Sequence, residues 1–466
     1  MSGIIGKLGN EETGKTTSIT QVALASWIGT AIEWYDFFLY GTAAALVFGP
    51  LFFSPKFSPL AAQLAAFATF WVGFAARPIG GIVFGHFGDR IGRKTMLILT
   101  LMIMATATFL VGCLPTYSVI GIWAPILLVT LRFLQGFAVG GEWGGAVLMA
   151  TEHSSGNRRG FYGSWVQLGA PTGLILSSLL FSWVFVFFSK QDFLAFGWRI
   201  PFLLSIVLVG LGLFIRLKIT ETPDFERVKQ TQTVARVPII EVVRTNFKQV
   251  LLAAGANILL NGSFYLFVTF SITYGRDALS MPTSTFLNAI LIGAAVMFLT
   301  IPLAGALSDR VGRLPVYLAG TAFLGLMAFP IFWLIDSKMP SLITLAISLA
   351  LFGLGLIAGP QAAFFNELFG ANVRYSGASL GYQGASIFAG GLAPFIATWL
   401  LHQFSFASWP IALYLIAMAL ITLVSTSLIG ETRAVTQQPS VGEITGWQGA
   451  NGGLKRSYPV LSGPLS

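Results

Sequence analysis

The chain has 466 residues, of which 55% are hydrophobic and only 10% are charged. Soluble domains are about 45–50% apolar and about 25% charged, so this composition excludes a disordered chain and argues against a soluble enzyme. The net charge of +9 comes with no basic stripe on a polar helix, one cysteine (Cys113) and three scattered histidines, so we expect no nucleic-acid partner, no metal and no cofactor.

Twelve hydrophobic runs are long enough, at about 20 residues, to cross a bilayer as helices. They lie at 22–50, 60–84, 95–113, 121–143, 161–188, 198–217, 248–274, 285–307, 315–335, 341–364, 377–402 and 406–429. The first run follows some twenty mostly polar residues and is too long for the core of a signal peptide. We therefore expect it to be retained as a helix.

The basic residues predict the orientation. With both termini in the cytoplasm, 20 of the 27 Lys and Arg residues fall on the cytoplasmic side, five fall outside, and Arg77 and Arg132 lie within spans. The expected location is the plasma membrane, meaning the bacterial inner membrane. The predicted division is a cytoplasmic N-terminal tail at 1–21, a six-helix bundle at 22–218, a cytoplasmic loop at 219–247, a second six-helix bundle at 248–430 and a cytoplasmic tail at 431–466.

Two motifs occur twice at nearly constant separation. The segment 85–93 (GHFGDRIGR) recurs as 305–313 (GALSDRVGR), 220 positions later. The Glu, Asn and Arg at 152, 157 and 159 recur at 367, 372 and 374, 215 positions later. Parallel repeats of this kind are a transporter architecture, with substrate bound between the halves. The expected fold is an all-α membrane protein with twelve transmembrane helices in two pseudo-symmetric six-helix bundles.

The segment 85–94 is expected to be a short loop that closes the cytoplasmic side. A carboxylate such as Asp89 can accept hydrogen bonds from the amides of a helix N-terminus or from an arginine. The alternative is a tight turn whose basic residues only set the orientation, which would not explain the Asp or the second copy. The predicted gating residues are Gly85, Asp89, Arg90, Gly92, Arg93, Glu142, Asp309, Arg310 and Arg313.

The pattern Gly-x-x-x-Asp-Arg-x-Gly-Arg-Lys between the second and third runs resembles the signature of the major facilitator superfamily, and 132–136 (RFLQG) resembles its second motif. The segments 33–37 (EWYDF) and 140–145 (GGEWGG) look like its metabolite:proton symporter family, and most like the shikimate permease branch. This resemblance implies the major facilitator fold, a monomer, and proton-driven uptake of small carboxylates or zwitterions.

Glu33, Asp36 and Arg132 are the candidates for proton coupling. Glu33 and Asp36 are three residues apart and share one helix face, and a carboxylate at the bilayer centre costs about 2.5–3.5 kcal/mol. The pair can therefore carry a proton, with Arg132 bound to one of them or to a substrate carboxylate. The alternative is a permanent salt bridge. Arg77 precedes Pro78 and either has a role in transport or extends to the membrane interface.

Polar residues within the spans are candidates for substrate binding, although such residues are as often hydrogen-bonded between helices. They are Tyr40, Arg132, Asn257, Asn261, Tyr265, Gln361, Tyr382 and Gln383. The first half is expected to carry the proton, and the second half to help select the substrate.

The predicted function is proton-coupled uptake of a small carboxylate metabolite by alternating access, with shikimate or a related hydroxy or aromatic acid as the substrate. The expected partners are this organic acid, protons and the lipid bilayer. Symport of a proline- or betaine-like zwitterion, export by a proton antiporter, and a sensor on a transporter fold are the alternatives. An intramembrane enzyme is disfavoured, because no HExxH, P-loop or nucleophile-elbow motif occurs and no catalytic residue is assigned.

Overall fold

The computed structural model describes residues 19–91, 93–140, 147, 158–218, 244–369 and 374–433, and every regular element in these ranges is a helix. The first half contains α1 (Ile19–Ala43), α2 (Pro59–Ile91), α3 (Arg93–Cys113), α4 (Trp123–Val139), α5 (Arg159–Gln167 and Gly169–Phe187) and α6 (Ile200–Lys218). The second half contains α7 (Phe247–Tyr265), α8 (Thr283–Val311), α9 (Arg313–Leu326 and Ala328–Asp336), α10 (Pro340–Leu368), α11 (Arg374–Ala385 and Ala393–Gln403) and α12 (Trp409–Ile429). Short helices lie at Gly49–Phe52, Tyr117–Ile120, Lys190–Ala195, Gly197–Arg199 and Ser271–Asp277.

The helices are those of a multi-span membrane protein. In the described part, nine helical stretches are long and apolar enough to cross a bilayer, and α9, bent by 46° between its two pieces, makes a tenth. The apolar parts of α3 and α4, Ile98–Cys113 and Trp123–Val139, are shorter and lie where the third and fourth spans were predicted. Large apolar side chains such as Val186, Leu303 and Leu326 are mostly exposed, as expected where lipid rather than water is the solvent.

The repeated motif marks equivalent helix boundaries in the two halves. The first copy spans the end of α2 and the start of α3 at Arg93, and the second spans the end of α8 and the start of α9 at Arg313. The predicted loop 85–94 is therefore mostly helix, since α2 continues to Ile91. In the second copy the chain turns at Gly312 alone, whose φ of 105° is unfavourable for residues with a Cβ.

The first helix of each half is interrupted at the same relative position by one π-helical turn. These turns lie at Ala44–Phe48 after α1 and at Leu266–Phe270 after α7, and a third lies at Ser386–Gly390 within α11. A π-helical turn breaks the regular ladder of backbone hydrogen bonds, so carbonyl groups next to it can accept bonds from other helices. Nothing in the apolar runs of the sequence indicates these turns.

Glycines hold α2 and α4 in close contact. A Cβ added to Gly136 of α4 would overlap the carbonyl oxygen of Gly73 in α2, and one added to Gly140 would overlap the carbonyl oxygen of Arg77. Small residues at such positions allow two helix backbones to approach closely in a membrane. The tight packing also fixes where the side chains of α2 and α4 meet α1.

We expect Gly136→Ala to lower the melting temperature of the purified protein, because α2 and α4 must separate to admit the methyl group. Overpacking of this kind costs about 1–3 kcal/mol. Gly210→Ala is the matched control, since nothing lies within 4 Å of a Cβ at that position of α6. Equal melting temperatures for the two variants would contradict the packing described here.

Candidate functional site

Four charged side chains are buried where α1, α2 and α4 meet. Glu33 and Asp36 of α1 are 4% and 1% exposed, Arg77 of α2 is 1% exposed, and Arg132 of α4 is fully buried. The structure thus brings the three predicted proton-coupling residues together. Arg77 does not extend to the membrane interface, which was one expectation from the sequence.

Asp36 has an unusual environment for a carboxylate. Arg132 and Glu33 act on it electrostatically. Even so, neither of its carboxylate oxygens has a hydrogen-bond partner among the residues that the structure describes. A buried polar group without a partner is costly, and a carboxylate is the most costly of these when ionised. The proton-binding role predicted for Asp36 agrees with this environment and stays a prediction.

The Arg132 side chain packs against aromatic rings. Its guanidinium carbon lies 4.0 Å from the ring centre of Phe37, 4.3 Å from that of Tyr40 and 4.9 Å from that of Phe70. One long hydrogen bond of 3.4 Å runs from Nη1 to the Gln135 side chain. Within the described ranges, its Nε and Nη2 have no hydrogen-bond partner. No salt bridge joins Arg132 to Asp36 in these ranges, although a pairing of Arg132 with a carboxylate of α1 was one expectation from the sequence.

Arg77 shares one of these rings. Its guanidinium carbon lies 4.1 Å from the ring centre of Phe37, 4.5 Å from that of Phe74 and 5.9 Å from that of Trp34. Its Nε also has no hydrogen-bond partner within the described part of the chain. Cation–π contacts stabilise a buried guanidinium but leave its N–H groups able to bind an anion.

A chain of side-chain amides joins the two halves. Gln167 of α5 donates to Gln361 of α10 at 2.6 Å, and Gln361 donates to Asn257 of α7 at 2.6 Å. Asn257 in turn donates to the Tyr382 carbonyl oxygen at 3.2 Å, and Asn261 donates to the Asn257 carbonyl oxygen at 3.3 Å. Two predicted substrate ligands, Asn257 and Gln361, thus bind each other here. Gln167 was not predicted.

A cavity of about 30 Å³ lies between the halves beside these amides. Its lining includes Trp34, Gln167, Asn261, Phe264, Tyr265 and Tyr382. A space of this size holds about one water molecule, so the site is closed around almost no free volume. Three of the predicted substrate residues, Asn261, Tyr265 and Tyr382, line the cavity.

Two other predicted substrate residues lie away from this lining. Tyr40 packs on Arg132, and its hydroxyl donates to the Thr69 hydroxyl at 2.9 Å. Gln383 is buried with its Oε1 unpartnered among the described residues. The ring of Trp34 connects the two regions, because it is stacked at 6.5 Å on cavity-lining Tyr265 and also faces Arg77.

The predicted cytoplasmic ends of the halves are joined by Asp309. Its two carboxylate oxygens accept the backbone N–H groups of Gly160 and Phe161, at the N-terminus of α5, each at 2.9 Å. Arg313 bonds the same carboxylate at 2.7 Å and lies 3.3 Å from Glu367. An anion at a helix N-terminus is favourable, and it links α8 to the opposite half.

The contacts around Asp309, Arg313 and Glu367 form what we call the Asp309 cluster, and the start of the predicted C-terminal tail belongs to it. Glu431 accepts the backbone N–H groups of Arg313 and Leu314 at 3.0 Å each, and Thr432 donates to Glu367 at 3.0 Å. The Arg310 side chain is exposed, and only its carbonyl oxygen takes part, by accepting from Arg433 at 2.8 Å. Residues 431–433 therefore pack on the bundle and not apart from it.

The first copy of the motif is described only in its backbone. Gly85, Asp89 and Arg90 lie in α2, and Arg93 begins α3. For these four residues the structure describes only the backbone. Gly92 and Glu142 lie outside the described residues altogether. Their predicted gating roles stay predictions.

The opposite ends of the halves are also in contact. Arg276, at the end of the α7 span, donates to the Ala45 carbonyl oxygen at 2.8 Å and to Gln63 at 3.2 Å. Nearer the middle of the membrane, Trp71 of α2 donates to the Ile387 carbonyl oxygen at 2.9 Å. Both carbonyl oxygens belong to π-helical turns, which explains why sequence patterns missed these contacts. In the described part of the chain, contacts therefore join the two halves at both ends.

We expect Asp309→Asn to favour opening at the Asp309 end, because charge-assisted hydrogen bonds each contribute about 1.5–3 kcal/mol. In a Cys113→Ser background, a cysteine replacing buried Ser164 of α5 should label about tenfold faster once Asp309 is changed. Lys248→Gln, an exposed charge at the start of α7, serves as control. An unchanged labelling rate would remove Asp309 from the closing contact.

Comparison with known proteins identifies the architecture. The family model of the Major Facilitator Superfamily matches residues 26–393. A proton:xylose symporter bound to 6-bromo-6-deoxy-D-glucose, XylE from E. coli, has a similar structure, with a TM-score of 0.71 and 16% identity over 90% of this chain and 98% of that one.

Two sequence relatives cover most of the chain. The shikimate transporter of Escherichia coli K12 is 43% identical over 93% of this chain and 99% of its own length. The glycine betaine/proline/ectoine/pipecolic acid transporter of Dickeya dadantii is 36% identical over 88% of this chain and 82% of its own. These matches confirm the prediction of a transporter rather than an enzyme. The chain belongs to the major facilitator superfamily.

Proposed function

We propose that this transporter takes up a small monocarboxylate, such as shikimate or a related hydroxy or aromatic acid, together with protons. Asp36 carries the proton and Arg132 binds the carboxylate of the substrate. The observation that carries this proposal is that Asp36 and Arg132 lie buried in one cluster, each with polar atoms that have no partner among the described residues. When a proton and an anion bind together, Asp36 receives the proton and Arg132 receives the anion, so both buried groups acquire a partner.

The cavity that Trp34 connects to this cluster suits a hydroxylated ring. Aromatic side chains of Trp34, Phe264 and Tyr265 can pack on its faces, and the amides of Gln167 and Asn261 can bond its hydroxyls. Shikimate has these features, and the relative of highest identity quoted above is a shikimate transporter. The Gln167–Gln361–Asn257 chain must exchange some internal bonds for bonds to substrate.

Contacts between the halves at both ends support alternating access. The Asp309 cluster joins the halves at one end and the Arg276 contacts join them at the other. Breaking one set while keeping the other opens the central site to one side of the membrane only. The cavity must enlarge during this movement, because about 30 Å³ does not hold a metabolite.

A zwitterion such as betaine is the second candidate. Four of the cavity-lining side chains, Trp34, Phe264, Tyr265 and Tyr382, are aromatic, and aromatic cages recognise quaternary ammonium groups. The Dickeya dadantii relative carries glycine betaine and proline in its name. The two buried arginines favour the carboxylate substrate, because each repels a cationic head group.

The test is uptake into proteoliposomes with an imposed pH difference. Labelled shikimate should accumulate when the outside is acidic, and unlabelled hydroxy or aromatic acids should compete. Accumulation of glycine betaine but not shikimate would favour the second candidate. Efflux driven by external acid would replace symport with antiport, and no response to the pH difference would overturn proton coupling.

We further propose that the protein works as a monomer in the bacterial inner membrane with both termini in the cytoplasm. The excess of Lys and Arg on one side of the predicted topology supports this orientation. The Asp309 cluster then closes the cytoplasmic side, and the Arg276 contacts close the periplasmic side. Protease protection of a C-terminal tag in right-side-out vesicles tests the orientation directly.

A further inference from the structure

We propose that the central site binds one proton together with one monocarboxylate anion, and that buried Arg77 sets this charge balance and so selects monoanions over zwitterions. The inference rests on the proposed symport function. It adds the stoichiometry, the charge class of the substrate and a specificity-determining residue outside the predicted site.

The described part of the cluster contains four buried charged side chains. Glu33, Asp36, Arg77 and Arg132 are all at most 4% exposed. Among the residues that the structure describes, the tyrosines Tyr35, Tyr40, Tyr265 and Tyr382 are titratable groups that also interact with them. In the described part of the chain, no further acidic or basic side chain acts on Asp36 or Arg132. With both carboxylates ionised, these four described side chains carry two positive and two negative charges and are neutral together.

Binding of a proton and of the substrate changes the net charge of this cluster. Protonation of Asp36 leaves one excess positive charge away from water, and an uncompensated buried charge is unfavourable. A monocarboxylate restores neutrality, and the unpartnered Nε and Nη2 of Arg132 and Nε of Arg77 are donors for it. A zwitterion would leave the excess positive charge, and a dianion would leave a negative one.

Arg77 decides which substrate charge makes the loaded cluster neutral. Its guanidinium and that of Arg132 lie 4.1 Å and 4.0 Å from the ring centre of Phe37, so both belong to one cluster. Without Arg77 the empty cluster would carry one negative charge. A proton alone would then neutralise it, and the favoured substrate would be a zwitterion. The burial of Arg77 therefore changes the preferred charge of the substrate.

The transport test separates the pH difference from the membrane potential. In proteoliposomes, external acid should drive shikimate uptake, while an interior-negative potential set with potassium and valinomycin should leave the uptake rate unchanged. Uptake that responds to pH and also at least doubles under the potential would overturn the stoichiometry but leave symport intact. Uptake that ignores the pH difference would overturn the symport proposal and this inference with it.

The binding test uses matched charge variants of the full-length protein in detergent, with a pH-indicator dye. Shikimate binding to the unmodified protein should take up about one proton per site. Glu33→Gln leaves the empty cluster positive, so binding should take up none. Glu33→Gln combined with Arg77→Met makes the cluster neutral again and should regain proton uptake.

A purely structural role for Glu33 or Arg77 predicts no such recovery. Failure of the double variant to regain proton uptake would therefore overturn the proposal that Arg77 sets the charge balance. Arg77→Lys keeps the positive charge and is the variant to test if those with Arg77→Met do not fold. It should keep the preference for shikimate over glycine betaine, and loss of that preference would also count against the proposal.

Discussion

Asp36→Asn is expected to abolish accumulation of substrate against a gradient. With one proton per substrate, each unit of pH difference supports about a tenfold accumulation, equivalent to 1.36 kcal/mol. An amide cannot carry that proton, so the internal concentration should reach only the external one. Exchange of labelled for unlabelled substrate can continue, because Arg132 still binds the carboxylate and the halves can still move.

The measurements are pH-driven accumulation and exchange in the same proteoliposomes. Asp192→Asn is the matched control, since Asp192 is an exposed acidic residue in the short helix Lys190–Ala195, far along the chain from the cluster. Retained pH-driven accumulation in the Asp36 variant would assign the proton to another group, with Glu33 the first to examine.

The second large effect is expected for Arg132→Met, which should weaken binding of carboxylate substrates strongly. Removing one partner of a buried charge pair costs at least about 2 kcal/mol, or about thirtyfold in Kd. The Arg132 N–H groups that have no partner in the described residues would have bound the anion. Arg132→Lys should recover only part of the affinity, because an ammonium group cannot bind a carboxylate in a bidentate manner.

Equilibrium binding of labelled shikimate measures this loss. Arg199→Met is the control, because Arg199 donates to the carbonyl oxygens of Gly112 and Leu114 at 2.7 and 2.6 Å at the end of α3. Its loss should affect stability but not the Kd. Unchanged shikimate affinity in the Arg132 variant would mean that another cation, with Arg77 the nearest candidate, binds the carboxylate.

The contacts between the halves suggest how binding and movement are coupled. Contacts join the halves at both ends and the cavity between them has almost no free volume, so the two halves are drawn together around the amide chain. A substrate that bonds to Gln167 on one side and Asn257 on the other can replace those amide contacts. Loading can then lower the cost of opening either end, because the central bonds between the halves are no longer lost.

The sequence alone allowed the spans, the duplication and the charged residues of α1 and α4 to be predicted. Each of these rests on local information, namely the length of an apolar run, a repeated motif, or the cost of a carboxylate in lipid. The first copy of the motif led to the hypothesis of a carboxylate at a helix N-terminus. The structure shows that arrangement for its repeat at Asp309.

Only the tertiary structure decided what these residues touch. Arg132 packs on the rings of Phe37 and Tyr40 without a salt bridge to Asp36, and Arg77 joins the same cluster. Arg276 and Trp71 bind carbonyl oxygens that π-helical turns make available. Such contacts depend on which faces of helices distant in the chain meet, and on departures from regular helix geometry. An apolar run of the required length is compatible with many such pairings, so hydrophobicity and spacing do not specify them.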